Sequence, residues 1–209
     1  MSEEAAGGAT RPRVSVQVVT GEPIVTRATD MYRQMLSAAG VEGAEEATAP
    51  GRPPWRRSFH VAVDDTGRVL GVILARLGSF DRLSIASMLD PEVRLAGPIC
   101  EAPTSAVVPE GAGLGVTELL YRSVYCFARR HGAGSLATIL DPVTLALFRD
   151  DYAISFRPLG PVVDDEGVQL QACGEDIHTL EAAVRRLRPE FYEFLIEPFT
   201  PAERAQMGL

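Results

Sequence analysis

The chain predicts an α+β fold in which a mixed central sheet carries flanking helices, and three observations lead there. Two β-rich runs flank a short Asp/Gly turn, which is a hairpin pattern. A later strand-like run passes through a glycine-rich turn directly into an amphipathic helix, and a further short apolar run follows that helix. Strand, helix and strand in succession imply a local parallel crossover around the central helix.

Each element has its own local signature. Val14 to Val19 alternates valines with Ser15 and Gln17, the period of a half-buried strand. Thr29 or Asp30 is a candidate cap for a helix carrying Met31, Tyr32, Met35, Leu36 and Ala39 and ending at Gly40. Val41 to Arg57 is first acidic, then Pro-rich and basic, without periodicity, and reads as a long loop of the kind that often covers sites. The hairpin strands are Ser58 to Val63 and Val69 to Leu77 around Asp64-Asp65-Thr66-Gly67. A strand after Pro98 runs through Cys100 and Glu101 to Val108. The central helix, Gly115 to His131, aligns Val116, Leu120, Val124 and Phe127 on one face and stops at Gly132. Leu136 to Leu140 is a short strand, and Asp141-Pro142 is a cap with proline at the first helical position of a short helix to Asp151. Leu170 to Cys173 is a last strand, and Ile177, Leu180, Val184 and Leu187 mark a last helix.

With 209 residues, 46% hydrophobic and 23% charged, the chain suffices for one good core. A single domain is expected over residues 14–195, between a disordered N-terminal tail (1–13) and a C-terminal tail (196–209). The net charge of -8 argues against nucleic acid as a partner, because phosphate binding needs a basic surface. All 20 basic residues are arginine, which removes Schiff-base lysines and the lysine of a phosphate loop. Cys100, Cys126 and Cys173 are widely spaced and form no CxxC pair, so neither a disulfide framework nor a metal site is expected, and a reducing cytoplasmic location is. No apolar run approaches the roughly 18 to 20 residues of a membrane span, and residues 1–13 lack the basic start and apolar stretch of a signal peptide.

The most informative segment is Val107-Val108-Pro109-Glu110-Gly111-Ala112-Gly113-Leu114-Gly115. Glycines permit backbone that side chains would block, and amides at a helix start point toward an anion. A dinucleotide fingerprint would need G-x-G-x-x-G after an early strand, and this G-x-G-x-G comes mid-chain. Tight strand–helix packing alone is the other reading of the same glycines.

This stretch, continued into a helix ending in His131-Gly132-Ala133-Gly134, resembles the pyrophosphate-binding motif of the GCN5-related N-acetyltransferase superfamily. The resemblance implies a sheet with a splayed strand pair at an acyl-thioester site, where turn amides bind coenzyme A or the phosphopantetheine arm of a carrier protein. It places Val107, Val108, Gly111, Gly113, Leu114, Gly115 and Val116 at that cofactor. Gly113 and Gly115 fall on the motif glycines, and Glu110 stands where Arg or Gln is usual. Asp141-Pro142, Leu147-Phe148-Arg149, Tyr152, Phe156 and Pro158-Leu159-Gly160-Pro161 downstream resemble the N-acyl amino acid synthases and, more distantly, the acyl-homoserine-lactone synthases. Those enzymes take fatty acyl groups from acyl carrier protein. Their strand pattern E-x-x-R is here Glu101-Ala102-Pro103-Thr104, without the arginine.

Acyl transfer to an amine needs a base, an oxyanion donor and an acid for the leaving thiolate. The resemblance assigns Glu101 as base, with a structural or substrate-orienting carboxylate the rival role, and Tyr152 as acid, with packing the rival role; the Val107 amide is the expected oxyanion donor. Arg33 or Arg76 would bind the carboxylate of an amino acid acceptor, and Phe148 would contact substrate. Asp141 is read as a cap, His60, His131 and His178 are given no catalytic part, and Cys100 is read as a buried apolar residue rather than a nucleophile. Arginines around Trp55, on the central helix (Arg122, Arg129, Arg130) and on the last helix (Arg185, Arg186, Arg188) offer patches for an acidic carrier protein or a solvated face. The expected function is acyl transfer, preferably of a fatty acyl group, from a carrier-protein or coenzyme A thioester to a small-molecule amine. The alternatives are an acetyltransferase using acetyl-coenzyme A and a noncatalytic thioester or protein binder.

Overall fold

The computed structural model describes residues 13–19, 24–38, 56–80, 83–103, 105–165 and 167–209. Eight strands make one sheet: β1 (Ser15–Val19), β2 (Arg56–Val63), β3 (Val69–Gly78), β4 (Ile99–Glu101), β5 (Ser105–Val107), β6 (Ser135–Leu140), β7 (Arg157–Asp165) and β8 (Val168–Asp176). Their order is β1-β2-β3-β4-β6-β8-β7, with β5 also paired to β3. The β4–β6 pair is parallel and the other described pairs are antiparallel. Among the described residues six α-helices accompany the sheet: α1 (Ile24–Ala38), α2 (Val116–Arg130), α3 (Pro142–Tyr152), α4 (Ile177–Leu187), α5 (Pro189–Ile196) and α6 (Pro201–Met207). The mixed sheet with flanking helices is thus the architecture expected from the sequence, with α2 as the crossover between β5 and β6.

Both faces of the central hairpin are covered, so β2 from Ser58 onward and nearly all of β3 are buried. On one face, α2, α4 and α5 pack Leu120, Val124, Phe127, Ile177 and Leu195 against Leu70, Ile73 and Cys100. On the other, Tyr32 of α1 joins Phe59, Val61, Val72 and Leu74. A 3-10 helix, Ser84–Met88, covers Ile99, Ala137, Leu159 and Ala172 farther along that face.

Several boundaries depart from expectation for identifiable reasons. Helix α1 starts at Ile24, so Thr29 and Asp30 lie inside it rather than at its cap. The strand expected through Val108 is broken into β4 and β5, because both pair with β3 but at separate registers. Strand β7 escaped the sequence reading: its prolines, Pro158 and Pro161, are strand breakers except at an edge, and β7 is the edge. Within the segment expected as a C-terminal tail (196–209), Thr200 and Glu203 form a capping box that starts α6. Met207 and Leu209 then pack on the main core. Of the loop expected over Val41 to Arg57, residues 41–55, with Arg52 and Trp55, lie outside the described residues, as do most of the N-terminal tail and Thr104, while Arg56 and Arg57 begin strand β2 instead.

Candidate active site

The site begins where two parallel neighbours part. Glu101 of β4 lies beside Ala137 of β6, and one step on the Ala102 amide still donates to the Ala137 carbonyl at 3.0 Å. Thr138 Oγ1 donates to the Ala102 carbonyl at 2.9 Å and closes the apex. Beyond it β5 stays on β3 while β6 stays on β8, which opens a cleft between β5 and β6. The Val108 amide donates to the Leu70 carbonyl at 3.0 Å, on the β3 side. Amide directions alternate along a strand, so the Val107 amide points to the cleft side, as an oxyanion donor must.

The glycine turn divides into a packed half and an open half. The Gly111 amide donates to Val108, and a Cβ there would lie 3.0 Å from Val107 Cγ1 and 3.1 Å from the Leu70 carbonyl. Gly111 is therefore a packing glycine. Gly113 and Gly115 both have φ of 73°, and nothing stands within 4 Å of a Cβ on Gly113. Their requirement is conformational, and the turn opens outward at both. Gly115 caps α2 without a side-chain hydrogen bond, and the helical ladder first returns to it through the Leu119 amide at 3.0 Å. Leu114 donates to Gly111 at 3.2 Å. Of the amides expected at a cofactor, those of Val108, Gly111 and Leu114 thus serve the turn itself; those of Val107, Gly113, Gly115 and Val116 remain as candidates. Glu110 pairs with Arg68 of the hairpin at 3.9 Å, both exposed, which draws its charge toward β3.

Glu101 and Arg76 are brought together by register: β3 and β4 are antiparallel, and the two residues are direct cross-strand partners. Glu101 is 0% and Arg76 5% exposed, with 3.4 Å between Arg76 Nη1 and Glu101 Oε2. The Ile85 amide, from the 3-10 helix, donates to the other carboxylate oxygen at 3.0 Å. Such an enclosed charge persists only because a partner cation and a hydrogen-bond donor accompany it. Tyr32 of α1 lies near enough to feel Arg76, whose charge opposes the burial that pushes the phenol up. Arg33, the other expected carboxylate binder, sits 4.0 Å from Asp30 on α1, toward the surface.

Tyr152 ends α3, where Ala153 adopts a left-handed cap at φ 57°. Its hydroxyl donates to Glu118 Oε1, in the first turn of α2, at 2.9 Å. Burial and the Glu118 carboxylate both push the Tyr152 phenol above its ordinary range. Phe148 is buried in the same aromatic group, its ring 5.0 Å from Tyr121, 6.0 Å from Tyr152 and 5.6 Å from Phe156. Tyr121 is hydrogen-bonded to Ser105 of β5, which ties the group to one wall of the cleft. Sequence reasoning missed Glu118 and Tyr121. Glu118 was visible three residues after Gly115 as an acidic residue in a first turn, but only the tertiary fold supplies its tyrosine.

The remaining candidates take structural places. Asp141 caps α3 by accepting from the Val143 and Thr144 amides, at 2.8 and 2.9 Å. Burial pushes the Cys100 thiol up to about 12, and Glu101 adds to the shift, so the thiolate is strongly disfavoured. The patch on the central helix is used internally: Arg122, Arg129 and Arg130 pair with Glu197, Glu181 and Glu203 at 2.6, 3.0 and 2.8 Å. They clamp the C-terminal helices and are not a free basic surface. Among the described residues there is no cluster of three or more potential metal ligands, and no helix is long and apolar enough to cross a membrane.

A mixed sheet that splits beside a glycine turn is the fold of the GCN5-related N-acetyltransferases, and solved acyl-transferring enzymes share it. In particular, the chain is similar in structure to FeeM, an N-acyl amino acid synthase from uncultured soil microbes, with a TM-score of 0.59 and 13% identity over 86% of this chain and 98% of that one. It is also similar to BjaI, a coenzyme A-dependent acyl-homoserine lactone synthase solved with SAM and isopentyl-CoA, with a TM-score of 0.58 and 18% identity over 94% and 99% of the two chains. NAA60 of Arabidopsis thaliana, solved with acetyl-CoA, matches with a TM-score of 0.54 and 12% identity over 79% and 99%. No protein-family model and no curated protein matches the chain by sequence.

Proposed function

We propose that this protein is an N-acyltransferase that moves an acyl group, preferably fatty acyl, directly from a coenzyme A or carrier-protein thioester to a small amine such as an amino acid. One observation carries the reading: β5 leaves β6 beside a turn whose left-handed Gly113 and Gly115 open outward, with the Val107 amide aimed into the gap. The likeness to FeeM, an N-acyl amino acid synthase, supports the amino acid part, and that to BjaI, solved with isopentyl-CoA, supports an acyl-coenzyme A donor.

The amine lone pair attacks the thioester carbonyl carbon, and the Val107 amide holds the developing oxyanion. Glu101, at the last paired position before the strands part, accepts the proton that the amine nitrogen loses. Arg76 is buried against Glu101 as its cross-strand partner, so it acts as a support for the base rather than a binder of the acceptor's carboxylate. The carbon–sulfur bond then breaks with its electron pair on sulfur, and Tyr152 gives the leaving thiolate a proton. The Gly113, Gly115 and Val116 amides would hold the phosphate end of the donor.

The test is release of free thiol from acetyl-, octanoyl- and palmitoyl-coenzyme A, and from the matching acyl carrier-protein thioesters, with and without a panel of amino acids. Amino-acid-dependent release with Glu101→Gln at least roughly 100-fold slower supports the proposal. Binding without release in any combination would leave a noncatalytic thioester binder, and release from acetyl-coenzyme A alone would leave a small acetyltransferase.

A further inference from the structure

The acid assigned to the leaving group does not stand alone. Tyr152 closes the last turn of α3, whereas Glu118 sits in the first turn of α2, and a single side-chain hydrogen bond of 2.9 Å joins them. That bond links the helix after β6 to the helix that follows the glycine turn, so it spans the two walls of the cleft. Glu118 also stands nearest to Gly115, its Oε2 being 4.0 Å from where a Cβ on that glycine would be. The tyrosine ring is held from a further side by Phe191 of α5, at 4.9 Å. Position and direction of the hydroxyl are thus set by one carboxylate and one ring, on two different helices.

Resting on the assignment of Tyr152 as the acid, we propose that Glu118 is its positioning residue, which holds the phenol oxygen at the cleft mouth so that the O–H turns from the carboxylate to the thiolate as that forms. The proton that leaves Tyr152 goes to sulfur as the carbon–sulfur bond breaks, and the resulting phenolate recovers a proton from solvent. Glu118 exchanges no proton in this step. The charged or titratable groups facing Tyr152 are Glu118 and Tyr121 from α2 and Asp151 from its own helix; α5 contributes the uncharged Phe191. All three of those groups disfavour the phenolate, and Glu118 alone is hydrogen-bonded to it.

The experiment reads Tyr152 itself. Protein labelled with carbon-13 at tyrosine Cζ is titrated by NMR, the Tyr152 signal being assigned by its loss in Tyr152→Phe, in the wild type and in Glu118→Gln and Glu118→Ala. In the wild type we expect Tyr152 to stay protonated beyond about pH 10, the ordinary tyrosine range. In both variants its midpoint should fall toward that range. Glu118→Gln keeps an acceptor oxygen, so it should retain most of the kcat that Glu118→Ala loses, roughly 10-fold, with little change in KM for the thioester. Unchanged Tyr152 titration in both variants would overturn the proposal, as would a loss seen in KM alone. If titration shifts as expected but Tyr152→Phe transfers acyl groups at the wild-type rate, the assignment of Tyr152 has failed, and the positioning role falls with it while the bond itself stands.

Discussion

The floor and the mouth of the cleft solve the problem of charge in opposite ways. At the floor, Glu101 and Arg76 are full charges buried side by side, fixed by strand register and by the Ile85 amide. At the mouth the proposed binding groups are backbone amides of an open glycine turn, and the nearby acidic residues are at least partly accessible. A buried pair is rigid but costly to break, because either partner left alone is a desolvated charge. An open turn costs little to alter in stability, yet its shape is its function. Mutations at the floor should therefore read out mainly in stability, and mutations at the mouth mainly in ligand binding.

The largest expected effect breaks the floor. Arg76→Ala should destabilise the fold by about 3–5 kcal/mol in denaturant unfolding, since it removes the cation paired with the buried Glu101. The double variant Arg76→Leu/Glu101→Leu should lose less than that single variant; an equal or larger loss would mean that the pair is not the source of the cost.

A buried group without a charge sharpens the contrast. His60 is fully buried on β2, with Nε2 2.9 Å from Ser58 Oγ and Nδ1 2.7 Å from Ser123 Oγ, and burial lowers its pKa from 6.5 to about 4. The folded state holds the neutral ring, so between those two values the unfolded chain binds more protons. Stability from this group is complete above pH 6.5 and is lost as pH falls toward about 4, on the order of 3 kcal/mol in total. His60→Gln should flatten that slope in unfolding measured across this range; an unchanged slope would place its origin elsewhere.

At the mouth, Gly113→Ala and Gly115→Ala should each cost about 1–2 kcal/mol, the price of a left-handed backbone with a side chain, because the space is open. Gly111→Ala should cost about 1–3 kcal/mol through overpacking against Val107 and Leu70 instead. Thermal unfolding separates these from binding, which only the first two should impair at the phosphate end. The smallest effect belongs to Glu110→Ala: its pair with Arg68 is exposed, so stability should change by less than about 0.5 kcal/mol. Thioester affinity should rise slightly as a negative charge leaves the turn, and a weaker affinity in titration calorimetry would contradict that reading of Glu110.

The contrast also explains what was legible in the sequence. The glycine turn, the α2 face and the Asp141-Pro142 cap are local, and each is written in adjacent residues whose conformations only a few residue types allow. Which glycine packs and which opens was not legible, since that depends on the approach of β3 and its Leu70 carbonyl. The Arg76–Glu101 pair follows from register between strands 25 residues apart, and a one-residue slip would have put the two on opposite faces. The Glu118–Tyr152 bond joins two helices across the cleft, 34 residues apart, and no spacing rule within one helix announces it. Strand β7 and helix α6 were missed for a different reason: prolines there obscured an edge strand and opened a terminal helix.

The most direct measurement is native mass spectrometry of the wild type and of the folded Gly113→Ala/Gly115→Ala variant, each incubated with acetyl-, octanoyl- and palmitoyl-coenzyme A and with the corresponding acyl-phosphopantetheines. We expect the wild type to retain an acyl thioester, with preference for a long chain, and the variant to lose it. Retention that is equal in the two proteins, or no retention of any thioester by the wild type, would contradict a thioester site at the glycine turn.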